Sequence, residues 1–256
     1  MAGGAREPRR PLPPSTSAAA RGSCSVSAVT DARELLRERR VAPSILATDF
    51  SQLGDRVREV MDAGARVIHV DVMDGHFVPP ITIGPLIVAG LREQVHEAGG
   101  MLDVHLMIER PERQVDEFAR AGADQITVHF EATPHVHYAV KAVHEAGCLA
   151  GVAITPSTPA DALAAIAADI ETALCMTVNP GWGGQPFIPE ALPKVERLRE
   201  LLPDHVAIEV DGGIDEDTAP GCASAGARLF VAGSAVLGDP DPADAYRRVA
   251  EAAGAV

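Results

Sequence analysis

Lysine is almost absent from this chain of 256 residues, which has only Lys141 and Lys194. Both lie in stretches with helical periodicity, not at the ends of apolar strand-like runs. An aldolase or decarboxylase that depends on a lysine at a strand end, for example to form a Schiff base, is therefore disfavoured. The sequence also lacks a Gly-x-Ser-x-Gly elbow, a Walker loop and a Gly-x-Gly-x-x-Gly nucleotide fingerprint.

Cysteines and long apolar runs are also scarce. The four cysteines lie far apart without a Cys-x-x-Cys pair, so we expect neither a zinc finger nor a disulfide framework, and a reducing cytosol is the expected location. The longest uncharged apolar runs have about ten residues, whereas a membrane-spanning helix needs roughly 20. We therefore expect no membrane association.

Positive charge is concentrated at the start of the chain. Residues 1–40 contain eight arginines and four acidic residues, a net +4, so residues 41–256 carry -18 for a total of -14. Such an acidic body would repel nucleic acid, and no nucleic-acid partner is expected. Residues 1–40 are predicted to be a disordered extension. Their Arg-rich, acid-poor start is also typical of an organelle transit peptide, so targeting remains an alternative.

Residues 41–256 show a repeating pattern of helix and strand. Five Ala-Gly words each follow a helix-like stretch and precede an apolar run, as expected when glycine caps a helix. The eight strand-like runs are predicted to begin near Val41, Arg66, Met101, Asp124, Leu149, Ala173, Val206 and Arg228. Helices between successive strands make those strands parallel, because each helix returns the chain to the same end of the sheet. We therefore predict one catalytic domain, a (β/α)8 TIM barrel, in preference to an open doubly wound sheet.

Polar residues recur at the ends of three predicted strands. Alternation along a strand places His69 and Asp71 on one face of the second strand, and His105 on the corresponding face of the third. Asp211 ends the seventh strand. In a barrel these four side chains converge at the carboxyl end, and their nitrogen and oxygen atoms suit a divalent metal such as zinc, iron or manganese. Each one alone would be an ordinary polar residue at the barrel rim; the prediction rests on their joint occurrence.

Glycine-rich loops follow the last three strands. Backbone amides in these loops can surround an anion without any lysine or arginine, as in the usual phosphate site of a barrel. The residues concerned are Gly181, Gly183, Gly184, Gly212, Gly213, Gly233 and Ser234.

A phosphate site, a metal and two carboxylates together favour proton transfer at a carbon next to a carbonyl. Asp71 and Asp211 belong to strands on opposite sides of a barrel mouth. If they face opposite sides of a planar enediolate, one removes a proton and the other returns it, which inverts the stereocentre. That arrangement favours epimerisation over simple isomerisation.

Six segments of the chain resemble the ribulose-phosphate 3-epimerase family, in the correct order between residue 42 and about residue 237. They begin with Ala-Pro-Ser-Ile-Leu at 42–46 and His-Val-Asp-Val-Met-Asp-Gly-His-Phe-Val-Pro at 69–79. The others are Asp-Val-His-Leu-Met at 103–107, Met-Thr-Val-Asn-Pro-Gly-Trp-Gly-Gly-Gln at 176–185, Val-Asp-Gly-Gly at 210–213 and Val-Ala-Gly-Ser-Ala at 231–235.

The resemblance implies a metal-dependent barrel that interconverts ribulose 5-phosphate and xylulose 5-phosphate in the pentose phosphate pathway, and commonly a homo-oligomer. It implies one divalent ion (zinc, iron, manganese or cobalt) bound by His69, Asp71, His105 and Asp211. Asp71 and Asp211 would exchange the roles of base and acid. The substrate would contact Ser44, His105, Asp211, Gly212, Gly213, Gly233, Ser234 and the loop of Gly181, Trp182, Gly183 and Gly184.

Four positions depart from the usual family pattern: Pro80, Tyr138, Thr155 and Trp182. They leave open a related epimerase that acts on a hexulose phosphate such as allulose 6-phosphate. A sugar-phosphate binding protein without turnover is the alternative from another class. Residues 1–40 lie outside the resemblance, and a wrongly assigned start is a further interpretation of them.

Overall fold

A computed structural model of the chain describes residues 32–255. Eight parallel strands form one sheet in the order β1-β8-β7-β6-β5-β4-β3-β2. The strands are β1 (Arg40–Pro43), β2 (Val67–Met73), β3 (Met101–Met107), β4 (Gln125–His129), β5 (Leu149–Ile154), β6 (Thr172–Met176), β7 (Ala207–Asp211) and β8 (Leu229–Ala232). A parallel bridge between Ser44 and His69 joins the two ends of the sheet. The predicted TIM barrel is confirmed.

Helices cover the outside of this barrel. They are α1 (Leu53–Asp62), α2 (Pro85–Glu97), α3 (Val115–Ala121), α4 (Val136–Glu145), α5 (Leu192–Leu201), α6 (Ala219–Ala225) and α7 (Pro242–Ala253). Between β5 and β6 the chain forms a 3₁₀ helix, Ala160–Ile166, in place of an α-helix. Aliphatic side chains on the inner faces of the helices pack against outward-facing valines and isoleucines of the strands, which forms the main hydrophobic core.

The amino end of the barrel is closed by the residues that precede β1. Residues 32–35 are helical, and Ala32 and Leu36 are each only 3% exposed beneath the inward-facing residues of the lowest layer, such as Met101 and Leu229. Arg33 adds an ion pair with Glu171 at 2.6 Å. Of the predicted N-terminal extension, residues 32–40 therefore pack on the barrel, and residues 1–31 lie outside the described residues.

A buried polar layer lies above that apolar floor. We use this name for Asp103, Gln125, Thr172 and Glu209, which are all fully buried. Thr172 donates to Gln125 Oε1 at 2.8 Å, and Gln125 Nε2 donates to Asp103 Oδ1 at 2.8 Å. Because strand residues alternate between faces, the inward residues two positions further along the same strands reach the carboxyl mouth of the barrel.

Candidate active site at the carboxyl end of the barrel

Four predicted metal ligands are brought together at the barrel mouth. His69, Asp71, His105 and Asp211 each offer one ligand atom, and these atoms lie within 4.8 Å of one another. Strand register explains the cluster, because Asp71 pairs with His105 across β2 and β3, and Asp211 ends β7 on the other side. His105 Nδ1 lies 3.1 Å from Asp71 Oδ1 and 3.6 Å from Asp211 Oδ2.

One nitrogen of this cluster has no hydrogen-bond partner among the described residues. His69 Nε2 is fully buried and makes no hydrogen bond, and it lies 3.4 Å from Asp71 Oδ1. A buried polar atom without a partner carries a substantial free-energy cost. A cation coordinated at this nitrogen would remove that cost, so the residues fit a divalent metal ion.

The other nitrogen of His69 is held from below. His69 Nδ1 lies 2.6 Å from Asp103 Oδ2, and Asp103 belongs to the buried polar layer. A carboxylate behind a histidine ligand fixes the ring orientation and raises its basicity. Alternation along β3 places Asp103 on the same strand face as His105, but no role was predicted for it from the sequence.

Glu209 is the second residue that sequence reasoning missed. It lies two positions before Asp211, fully buried, with Oε1 3.5 Å from His69 Nδ1. Neither carboxyl oxygen has a hydrogen-bond partner within the described part of the chain. Burial and the negative charge of Asp103 raise the pKa of Glu209 to about 8. The alternation along β7 was the available signal, because it places Glu209 and Asp211 on one face.

Charges within the cluster shift the pKa values of its histidines. Burial alone would lower the pKa of His69, but the charges of Asp71 and Asp103 raise it well above its usual value. Burial is likewise outweighed at His105, where the nearby carboxylates of Asp211 and Asp71 raise the pKa to about 9. Both rings therefore hold protons that a cation would have to displace.

The pKa of Asp71 is shifted in the opposite direction. Burial disfavours its ionised form, yet the charge of His69 and the hydrogen bond from His105 lower its pKa below the usual value. Ser44 Oγ also donates to Asp71 Oδ2 at 2.5 Å. Asp71 is therefore ionised at neutral pH and able to accept a proton.

A cavity of about 480 Å³ opens above the cluster. Asp71 and Asp211 both contribute to its wall, together with Met73, Met107 and Met176. Every predicted substrate-contacting residue lines it except His105, which is fully buried behind the wall. The lining residues from that set are Ser44, Gly181, Trp182, Gly183, Gly184, Asp211, Gly212, Gly213, Gly233 and Ser234.

The glycine-rich wall is formed by close backbone packing. Gly212 has φ +118°, and a Cβ there would lie 2.3 Å from Val178 Cγ2. Gly213 has φ +66°, and a Cβ there would lie 2.6 Å from the backbone nitrogen of Phe187. Only glycine satisfies both requirements at these positions. Among the described residues that line the cavity there is no lysine or arginine.

The loop after β6 covers one side of the cavity. Gln185 Nε2 donates to the carbonyl oxygens of Asn179 at 2.7 Å and Trp182 at 2.9 Å, which braces the loop across its base. The Trp182 side chain is 55% exposed. Of the departures from the family pattern, Pro80 and Trp182 line the cavity, whereas Tyr138 lies at a separate shallow depression beside α4.

A barrel with a histidine–aspartate cluster and a glycine-rich cavity at its carboxyl mouth is a (β/α)8 enzyme with a candidate centre for a divalent cation. The family model described as the ribulose-phosphate 3 epimerase family matches residues 40–237. The chain belongs to this family.

Named relatives agree with that assignment. The ribulose-phosphate 3-epimerase of Bacillus subtilis is 49% identical over 206 residues, which cover 79% of this chain and 94% of that protein. The protein of the same name from Synechocystis is 50% identical over 214 residues, covering 82% and 92%. The one from Escherichia coli is 41% identical over 217 residues, covering 84% and 94%.

Solved structures with lower identity show the same fold. A structure of KGPDC from Streptococcus mutans has a TM-score of 0.67 at 18% identity, covering 84% of this chain and 97% of that one. The 3-hexulose-6-phosphate synthase from Salmonella typhimurium has a TM-score of 0.65 at 17% identity, covering 84% and 98%. Within residues 32–255, no helix has the length and apolar character needed to cross a membrane.

Proposed function

We propose that the chain epimerises ribulose 5-phosphate at C3 to xylulose 5-phosphate, through a 2,3-enediolate and with a bound divalent cation. Relatives that are 41% and 50% identical and carry the name ribulose-phosphate 3-epimerase support the substrate. The observation that carries the proposal is the placement of Asp71 and Asp211. They come from β2 and β7, line one cavity and both approach His105 Nδ1.

Four residues would hold the cation: His69 through Nε2, His105 through Nδ1, and the carboxylates of Asp71 and Asp211. The mixed donor set fits zinc, iron, manganese or cobalt. When bound, such an ion polarises a ketone and stabilises the negative charge of an enediolate.

The two aspartates would carry out the proton transfers. Asp71 accepts the proton of C3 on one face of the sugar, and its low pKa keeps it ionised beforehand. Asp211 then donates a proton to C3 from the other face, and the two exchange roles in the reverse direction. Ser44 orients the acceptor by its hydrogen bond to Asp71 Oδ2.

The glycine-rich wall would bind the phosphate. Gly212, Gly213, Gly233 and Ser234 line the cavity together with the loop Gly181–Gly184, and their peptide N–H groups would supply the donors. Amide donors supply hydrogen bonds to a dianion without a cationic side chain. The methionines of the wall reduce access of water to the reacting carbon.

Isotope exchange tests this proposal directly. Ribulose 5-phosphate is incubated with the Mn²⁺-loaded protein in heavy water, and both products and C3 deuteration are followed by NMR. We expect xylulose 5-phosphate and deuterium at C3. Absence of both would refute the proposed function.

The substrate preference has one open alternative with structural support. Pro80 and Trp182 are departures from the family pattern that line the cavity, so a hexulose phosphate belongs in the same assay. A kcat/KM higher for allulose 6-phosphate than for ribulose 5-phosphate would favour the alternative. Trp182 fluorescence that responds to ribulose 5-phosphate without turnover would instead indicate a binding protein.

We further propose a homo-oligomer that resides in the cytosol. Ile81 and Leu86 are 81% and 88% exposed near the barrel mouth, and large exposed apolar side chains of this kind favour self-association. Light scattering of the purified protein tests the first statement, and fractionation of cells that express the full chain tests the second. A monomer at micromolar concentration, or recovery in an organelle fraction, would contradict them.

A further inference from the structure

The ring of His105 has polar neighbours at both nitrogens. Nδ1 faces Asp71 at 3.1 Å and Asp211 at 3.6 Å. Nε2 lies 2.9 Å from Nε2 of His129, which is fully buried on β4. Nδ1 is therefore the nitrogen directed at the cation centre, and Nε2 contacts a second imidazole.

The histidine contact continues to a carboxylate. His129 Nδ1 lies 3.3 Å from Glu131 Oε2. The other carboxyl oxygen, Oε1, accepts from the Thr155 backbone N–H at 2.8 Å and from the Thr158 hydroxyl. We call His105, His129 and Glu131 the histidine relay.

The positions of the protons determine which group donates each hydrogen bond in the histidine relay. A neutral histidine ligates a metal through the nitrogen without a proton, so ligation through Nδ1 places the proton of His105 on Nε2. That proton is donated to His129 Nε2, which must be unprotonated. The proton of His129 is then on Nδ1 and is donated to Glu131 Oε2.

Glu131 is well suited to accept it. Burial disfavours the charge of Glu131, but hydrogen bonds from His129, Thr158 and the Thr155 amide lower its pKa to about 2. An ionised carboxylate only accepts hydrogen bonds. The opposite tautomer of His129 would place an unprotonated nitrogen against this charge.

We propose that Glu131 is a positioning residue that acts through His129 to keep a proton on Nε2 of His105, so that Nδ1 is the nitrogen that a cation can occupy. The inference rests on the cation centre of the proposed function. A histidine ligand commonly donates its second N–H to a carboxylate or carbonyl. His69 does so directly, to Asp103, whereas His105 does so through an intervening imidazole.

Glu131→Gln tests the direction of the hydrogen bonds in the histidine relay, because glutamine has nearly the same shape as glutamate. The Thr155 backbone N–H can only donate, so the new amide oxygen takes the position of Oε1 and the new NH₂ group faces His129. An NH₂ donor there favours the other tautomer of His129, which then directs an N–H at the N–H of His105. Thr158→Val is the matched control, since it removes a neighbour of Oε1 and leaves Oε2 unchanged.

Two readouts are measured on the full chain. The first is the tautomer of His129 in the metal-free protein, from ¹⁵N NMR of histidine-labelled samples, assigned by comparison with His129→Asn. The second is the Kd for Mn²⁺ by calorimetry. We expect protonated Nδ1 in the wild type and in Thr158→Val. In Glu131→Gln we expect the proton on Nε2 and a Kd for Mn²⁺ weakened about 10- to 100-fold.

Three results would overturn the inference. The first is that His129 of the wild type carries its proton on Nε2, and the second is that both readouts are unchanged in Glu131→Gln. The third is that Thr158→Val weakens the affinity for Mn²⁺ as much as Glu131→Gln does. The ¹⁵N NMR spectrum of the wild type tests the inference even if Glu131→Gln does not fold. The tautomer is read without metal or substrate. A failed deuterium exchange with the expected tautomer would therefore refute the proposed function and leave the relay intact.

Discussion

Replacement of Glu209 by glutamine is expected to stabilise the metal-free protein. Glu209 is fully buried in the polar layer, and its pKa is raised to about 8. The folded chain therefore keeps this carboxyl protonated at neutral pH, whereas the unfolded chain ionises it. Glutamine has nearly the same shape as the protonated acid and does not ionise in either state.

The size and sign of the effect follow from proton linkage. Between the unfolded pKa of 4.5 and the folded pKa of about 8, the folded state binds the extra proton, so the free energy of unfolding decreases as pH rises. pH 7 lies about 2.5 units above the unfolded pKa, and each unit lowers the free energy of unfolding by about 1.36 kcal/mol. The loss at pH 7 is therefore about 3 kcal/mol. At pH 5 it is below about 1 kcal/mol. Glu209→Gln avoids this loss.

Urea denaturation in the presence of a chelator measures the effect. We expect Glu209→Gln to exceed the wild type by about 3 kcal/mol at pH 7 and by less than about 1 kcal/mol at pH 5. Glu196→Gln, at an exposed position on α5, is the control and should stay within about 0.5 kcal/mol at both pH values. A loss of stability at pH 7 in Glu209→Gln would show that Glu209 is ionised and paired with His69, which refutes the reasoning.

Three further predictions concern the cavity. Asp211→Asn should lower kcat by at least about 100-fold with an unchanged far-UV spectrum, because no acid remains on that side; an active variant would remove the assigned role. The pKa values of His69 and His105 are both raised, so Mn²⁺ must displace one proton from each ring, and its Kd should weaken about 100-fold per unit as pH falls from 8 to 6. Calorimetry tests this, and a Kd independent of pH contradicts it. Gly212→Ala should cost about 1–3 kcal/mol in urea denaturation, because φ is +118° and Val178 is in the way. Gly183→Ala, with no atom near the added Cβ, should cost less than about 0.5 kcal/mol, and equal losses would contradict the packing argument.

The fold was largely predictable from the sequence, because glycine caps and apolar runs mark the ends of each unit. Predicted strand starts agree with the observed ones to within one residue, for example Val206 against Ala207. The exception is the gap between β5 and β6, where the 3₁₀ helix Ala160–Ile166 replaces the expected α-helix.

The candidate site was predictable where the alternation of residues along a strand shows which side chains share a face. Alternation placed His69 with Asp71, and the parallel arrangement added His105 and Asp211. The contacts beneath and behind them depend on register between strands, which the sequence does not encode locally. Glu131 was missed for this reason: it lies in the turn after β4 and reaches the site only through His129.

The lack of cationic side chains around the cavity affects how an anion would approach it. A chain with net charge -14 repels a sugar phosphate at long range, and hydrogen bonds from amides act only after contact. An active site whose electrostatic field attracts its substrate binds that substrate more slowly as salt is added. In this protein screening would weaken a repulsion, so moderate salt should speed the capture of substrate.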